Sequence, residues 1–161
     1  MEAEPGERVV ATTVDDPVSL YRRAYPAAVR LAVALVDVPA TAEDLVQDAF
    51  AQVWLRWDRI DNPDAYLRTC VVNLCRRELR RRRLRRRTPG RTASSATLDA
   101  SARELLDVLR ALPPRRRAVV VLRFYEDMSE AQIAATLGMR PGTVKATLHQ
   151  ALAQLREVIE R

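Results

Sequence analysis

Cysteine, glycine and histidine are scarce in this 161-residue chain, and each scarcity removes a class of function. Two cysteines, Cys70 and Cys75, and one histidine, His149, are too few for a structural zinc site. The thiols stand five residues apart in a segment of helical pattern and so point in different directions, as two reduced, partly buried groups would. Four glycines leave no phosphate-cradling loop, and no nucleophile stands beside an identifiable base, so neither catalysis nor a cofactor is expected. His149 reads as a surface residue. Long apolar runs are also missing: none approaches the roughly 20 residues of a membrane-spanning helix. The N-terminus, MEAEPGERVV, lacks the basic-then-apolar order of a signal peptide, so a cytoplasmic location without membrane insertion is expected.

What is present is equally restrictive. A hydrophobic content of 48% is too high for a disordered chain, and 30% charged residues are too many for a membrane protein. The net charge of +6 conceals an asymmetry. Residues 1–65 carry six basic and twelve acidic groups, whereas residues 66–91 carry eleven basic and one acidic. Residues 92–161 are close to balanced, with ten basic and eight acidic. One band therefore holds the positive excess, which suits a polyanion, while the acidic first third suits a different, protein partner. The centre of the band is RRELRRRRLRRR, Arg76 to Arg87. Such a run can be a solvated tail, a targeting address or a contact surface.

The apolar spacing is helical throughout, and no segment alternates as a strand should. Residues 1–16 are polar without periodicity and read as a flexible lead. A helix follows from Pro17 through Leu20, Ala24, Ala28, Leu31 and Leu35, with a bend expected near Pro26. Thr41 to Asp44 has the form of a capping box, opening a helix with Leu45, Val46, Ala49, Phe50, Val53, Trp54 and Trp57 on its apolar side. Its other side carries Glu43, Asp44, Gln47, Asp48 and Gln52. Asn62-Pro63 starts the next helix, Asn as cap and Pro in the first turn, and this helix runs into the arginines. TPGRTASSAT, Thr88 to Thr97, has the composition of a linker. The chain is therefore expected to be all-α, with two small helical domains over 17–87 and 102–161 joined by a flexible linker over 88–101.

Within the second domain, SEAQIAATLGMRPGTVKATLHQAL has the form of a helix-turn-helix. Ser129 and Gln132 make a capping box, Gly138 can end the first helix in a left-handed turn, and Pro141 opens the second. Val144, Leu148, Leu152 and Leu155 are expected to be buried. The other side offers Arg140, Thr143, Lys145, Thr147 and Gln150 to phosphates and base edges.

Here the whole chain becomes recognisable. LRALPPRRRAVVVLRFYEDMSEAQIAATLGMRPGTVKATLHQALAQLR resembles region 4 of bacterial sigma factors. AEDLVQDAFAQVWLRWDRIDNPDAYLRTCVVNLCRRELRRR resembles their region 2. The two occur in the family's order over about residues 17–160, without room for regions 1.1 or 3. The chain therefore resembles the extracytoplasmic-function (group 4) class of the sigma-70 family.

That resemblance implies a factor that binds core RNA polymerase, recognises −10 and −35 promoter elements and promotes melting, while the polymerase does the chemistry. It implies that Asp44, Leu45, Gln47, Asp48 and Phe50 dock on the beta-prime clamp helices, with Trp54 in the core. It assigns Asn62, Asn73, Arg76, Arg77 and Arg80 to the −10 element, where an unstacked base is captured, and leaves Arg81 to Arg87 as a phosphate-holding extension. Region 4 would read the −35 element through Arg140, Thr143, Lys145, Thr147 and Gln150 and touch the beta flap. In many relatives an anti-sigma factor clamps both domains, a further partner that the resemblance allows. Relatives often carry more basic residues where this chain has Ala146, Thr147 and Gln150. Since Gln favours adenine where Arg favours guanine, a distinct −35 preference is expected. One competing reading is a stand-alone helix-turn-helix regulator, which leaves the helix over 41–57 without a task. Another is a helical adaptor whose arginines bind RNA or an acidic protein, with binding that vanishes with salt.

Overall fold

Asp16 starts the first helix: its carboxylate accepts from the Val18 and Ser19 backbone amides at 2.9 and 3.0 Å, with Pro17 in the first turn. These bonds hold the Asp16 carboxyl below its usual range. The computed structural model describes residues 15–85 and 100–161; the lead over 1–14 and most of the linker lie outside them. Within the described residues the chain forms seven α-helices and no strand. They are α1 (Pro17–Val36), α2 (Pro39–Leu55), α3 (Pro63–Arg85), α4 (Ala100–Arg110), α5 (Pro114–Phe124), α6 (Glu130–Leu137) and α7 (Pro141–Ile159). A 3-10 turn, Trp57–Arg59, bridges α2 and α3.

Helices α1, α2 and α3 pack mutually around Leu20, Leu31, Val36, Val46, Phe50, Val53, Val71 and Val72. Each of these side chains stabilises the fold by about 2 kcal/mol relative to exposure. Tyr21, Tyr25 and Phe50 form an aromatic cluster with Tyr21–Phe50 centroids 4.9 Å apart. Helices α5, α6 and α7 pack around Leu122, Ile133, Leu137, Val144 and Ala151, and α4 lies against α7.

The local signals behaved unevenly. Asn62 caps α3 through its side-chain oxygen, 3.1 Å from the Ala65 amide. Ser129 and Gln132 form both bonds of a capping box, and Gly138 closes α6 at φ 61°. The Thr41 box does not form, because Pro39 begins α2 a turn earlier behind Val38, which has no capping side chain. Trp57 falls in the 3-10 turn instead of α2. In α7 the buried stripe passes through Ala151, and Leu152 is exposed.

Candidate nucleic-acid and polymerase interfaces

Arginines adjacent in sequence lie 100° apart around a helix, so the run in α3 is divided among faces. Thr69, Asn73, Arg76 and Arg80 recur at intervals of three and four along one side, and Arg77 flanks them. Arg77 and Arg80 are exposed; Asn73 and Arg76 are half-buried. Burial and the neighbouring charges of Arg80 and Arg115 together lower the Arg76 pKa. The like charges of Arg80, on the same helix, and Arg115, on α5, thus add to burial in disfavouring the charged Arg76, and a polyanion would offset them.

Other arginines of the run have a different role. Glu78, 8% exposed, accepts from Arg81 at 2.5 Å and from Arg82 at 2.8 Å. Arg82 also donates to the Val36 carbonyl at 2.8 Å, at the end of α1. The expected phosphate-holding extension therefore does not include Arg82, which ties α3 to α1, and it loses part of Arg81 to Glu78. Arg86 and Arg87 lie outside the described residues.

At the other end of the strip the side of α3 meets a cavity of about 670 Å³ lined by Arg56, Arg59, Ile60, Asp61, Asn62, Ala65, Tyr66 and Thr69. Asn62 stands at its edge, its oxygen engaged in the cap. Arg56 donates to the Tyr66 hydroxyl at 3.1 Å, fixing an aromatic ring beside cationic groups. Arg56, Tyr66 and Thr69 did not stand out in the sequence. Tyr66, seven residues before Asn73 on the same side of α3, was the available signal.

On α2, Glu43, Asp44, Gln47 and Asp48 are exposed, and Leu45 is half-buried. Gln47 is steadied by donating to the Tyr21 hydroxyl at 3.0 Å. Phe50 is 1% exposed and cannot present its ring to a partner. With Val46, Ala49 and Val53 it occupies the inward side, opposite Gln47 and Asp48. Trp54, expected in the core, is 47% exposed, and Leu55 is 87% exposed, so the acidic face ends in an apolar patch.

Arg140, the N-cap of α7, and Thr143, Lys145 and Gln150 on the helix are exposed, and Thr147 is half-buried. Gln150 is held from α5: Arg116 donates to its Oε1 at 3.1 Å and to Gln154 Oε1 at 2.8 Å. The thiols play no part in these surfaces. Burial raises both pKa values, that of Cys75 to about 12.

Residues 20–85 match the family model for sigma-70 region 2, and residues 102–155 match that for sigma-70 region 4. The chain is 43% identical to the RNA polymerase sigma-E factor of Streptomyces avermitilis, over 86% of this chain and 82% of that protein. It is 31% identical to the ECF RNA polymerase sigma factor SigL of Mycobacterium tuberculosis, over 81% of each. Among solved structures it resembles the sigma factor RpoE of Bartonella quintana, crystallised with the anti-sigma factor NepR. The TM-score is 0.70 over 89% of this chain and 96% of that one, and at 24% identity the likeness is one of fold.

Proposed function

Because the chain belongs to the sigma-70 family of RNA polymerase sigma factors, in its extracytoplasmic-function group, we propose that α2 docks it on core polymerase while α3 and α7 hold two promoter elements. As an initiation factor it binds core RNA polymerase and promoter DNA. The presence of both sigma regions in order does not favour the stand-alone regulator.

Glu43, Asp44, Gln47 and Asp48 supply a polar, acidic rim for the beta-prime clamp helices, with Trp54 and Leu55 as an apolar anchor at its end. Phe50 supports this surface from beneath. Asn73, Arg76, Arg77 and Arg80 hold the displaced strand of the −10 element, and the cavity receives one unstacked base over Tyr66. Arg56 positions that ring. Arg140, Thr143, Lys145, Thr147 and Gln150 face the −35 element, and the beta flap is a further polymerase contact of this domain. The factor brings no catalytic group; it works in the cytoplasm, where polymerase and chromosome meet. Among the described residues no helix is long and apolar enough to cross a membrane. An anti-sigma factor that clamps both domains and hides their surfaces is a further partner in this scheme.

The observation that carries the reading is the continuity of the cavity at Tyr66 and Thr69 with the Asn73–Arg80 strip on one side of α3. Permanganate footprinting of a promoter bound by core polymerase and this protein tests it. Tyr66→Ala should abolish thymine reactivity in the −10 region while polymerase still binds. Unchanged melting would remove the cavity from the mechanism.

A further inference from the structure

Gln150 is the base-facing candidate on α7 whose side chain is engaged by a neighbour outside that helix. A guanidinium has only donors, so the Gln150 atom 3.1 Å from Arg116 Nη2 is the carbonyl oxygen, and the orientation of the amide follows. Arg116 is itself fixed. Its Nη1 donates to Gln154 Oε1 at 2.8 Å, and Gln154 Nε2 donates to the Ala111 carbonyl at 2.9 Å. A chain of three hydrogen bonds thus runs from backbone to Gln154, Arg116 and Gln150. Among the described residues nothing accepts from Gln150 Nε2.

We infer that Arg116 is a positioning residue for base recognition, biasing Gln150 toward donation so that it selects guanine at one −35 position. The inference rests on the reading of α7 as the −35 helix. A glutamine reads adenine by accepting from N6 with its oxygen while donating to N7 with its nitrogen. In this chain the oxygen already accepts from Arg116, and a full positive charge stands beside it. That charge repels the adenine amino group. The amide nitrogen and the adjacent guanidinium together present donors, which match the two acceptors, O6 and N7, of guanine. The usual leaning of a glutamine toward adenine is thereby reversed.

The test is a promoter selection with core polymerase and the full chain, using a library randomised through the −35 element with a constant −10 element. Gln150→Ala identifies the position at which preference is lost. There the parent should favour guanine over adenine by about tenfold, the discrimination of a good donor–acceptor pair. Arg116→Met should move that position toward adenine and leave the others as they were, with an unfolding midpoint close to the parent's. Gln154→Leu, which loosens Arg116 without deleting it, should shift the same position in the same direction by less, and serves if Arg116→Met does not fold. Adenine preferred by the parent, or identical base frequencies for parent and Arg116 variant, would overturn the inference while leaving α7 as the reader. Flat −35 frequencies for every protein, with transcription still dependent on it, would overturn the −35 reading itself and the inference with it.

Discussion

Glu78 stands alone among nine arginines between Arg76 and Arg87, and its burial shows what the isolated acid does. It accepts from two of them and, through Arg82, locks the end of α1 onto α3. Glu78→Ala would leave Arg82 beside Val36 without its counter-ion. A loss of about 2 kcal/mol is expected, read as a lowered thermal midpoint. An unchanged midpoint would mean that the pairing contributes nothing net. Cys75 gives a second residue-scale prediction. Its thiol ionises near 9 when unfolded, but burial pushes it up to about 12 in the fold. The folded protein therefore keeps a proton that the unfolded chain gives up. This contribution to stability is complete below about pH 9 and is lost as pH rises toward about 12. Cys75→Ala should flatten that part of a stability-against-pH series. In the native protein at about pH 8, Cys75 should also resist a thiol reagent until denaturant is added. Rapid native labelling would contradict the burial.

At the scale of elements, boundaries set by special residues were legible in the sequence, and those set by competition were not. Asn62, Ser129 with Gln132, and Gly138 each act within one turn of the backbone, where local chemistry decides. Removing the Ser129 hydroxyl (Ser129→Ala) should cost about 1 kcal/mol through the lost N-cap of α6. Gly138→Ala should cost a similar amount through its positive φ, since nothing lies within 4 Å of the added carbon. Both are read by chemical denaturation, and a null effect at either would mean that the turn relaxes. Thr41 failed as a cap because Pro39, two residues earlier, already fits the first helical turn. The resemblance implies a docking role for Phe50, although it belongs to the apolar side of α2 with Val46, Ala49 and Val53. Family likeness drew attention to the segment, whereas helical phase decides which of its residues can touch a partner. Arg116 was invisible for another reason: its partners, Gln150 and Gln154, lie more than thirty residues away.

For the whole molecule, the two halves predicted from the sequence meet in the structure through contacts that no local pattern announces. Helix α1 packs against α5, and α3 against α6. Arg68 pairs with Glu126 at 2.5 Å, Arg110 with Asp37, and Arg30 donates to the Tyr125 hydroxyl at 2.9 Å. These contacts are largely at the surface, where an ion pair contributes about 0–1 kcal/mol and weakens with salt. The double substitution Asp37→Ala, Glu126→Ala should therefore enlarge the radius of gyration measured by small-angle scattering at low ionic strength. Parent and variant should converge at about 0.5 M salt, where screening is nearly complete. Equal radii at low salt would show that these two ion pairs do not hold the halves together.

The half-exposed Trp54 at the end of the acidic face has a practical consequence. Trp54 and Trp57 are the two tryptophans of the chain, and both lie where α2 ends. The protein's ultraviolet emission is thus a local optical gauge of that corner alone. A partner that settles over the rim would dry the Trp54 indole and move the emission toward shorter wavelength. Unlabelled protein could then be titrated against a tryptophan-free clamp fragment, and docking followed by colour with no transcription involved.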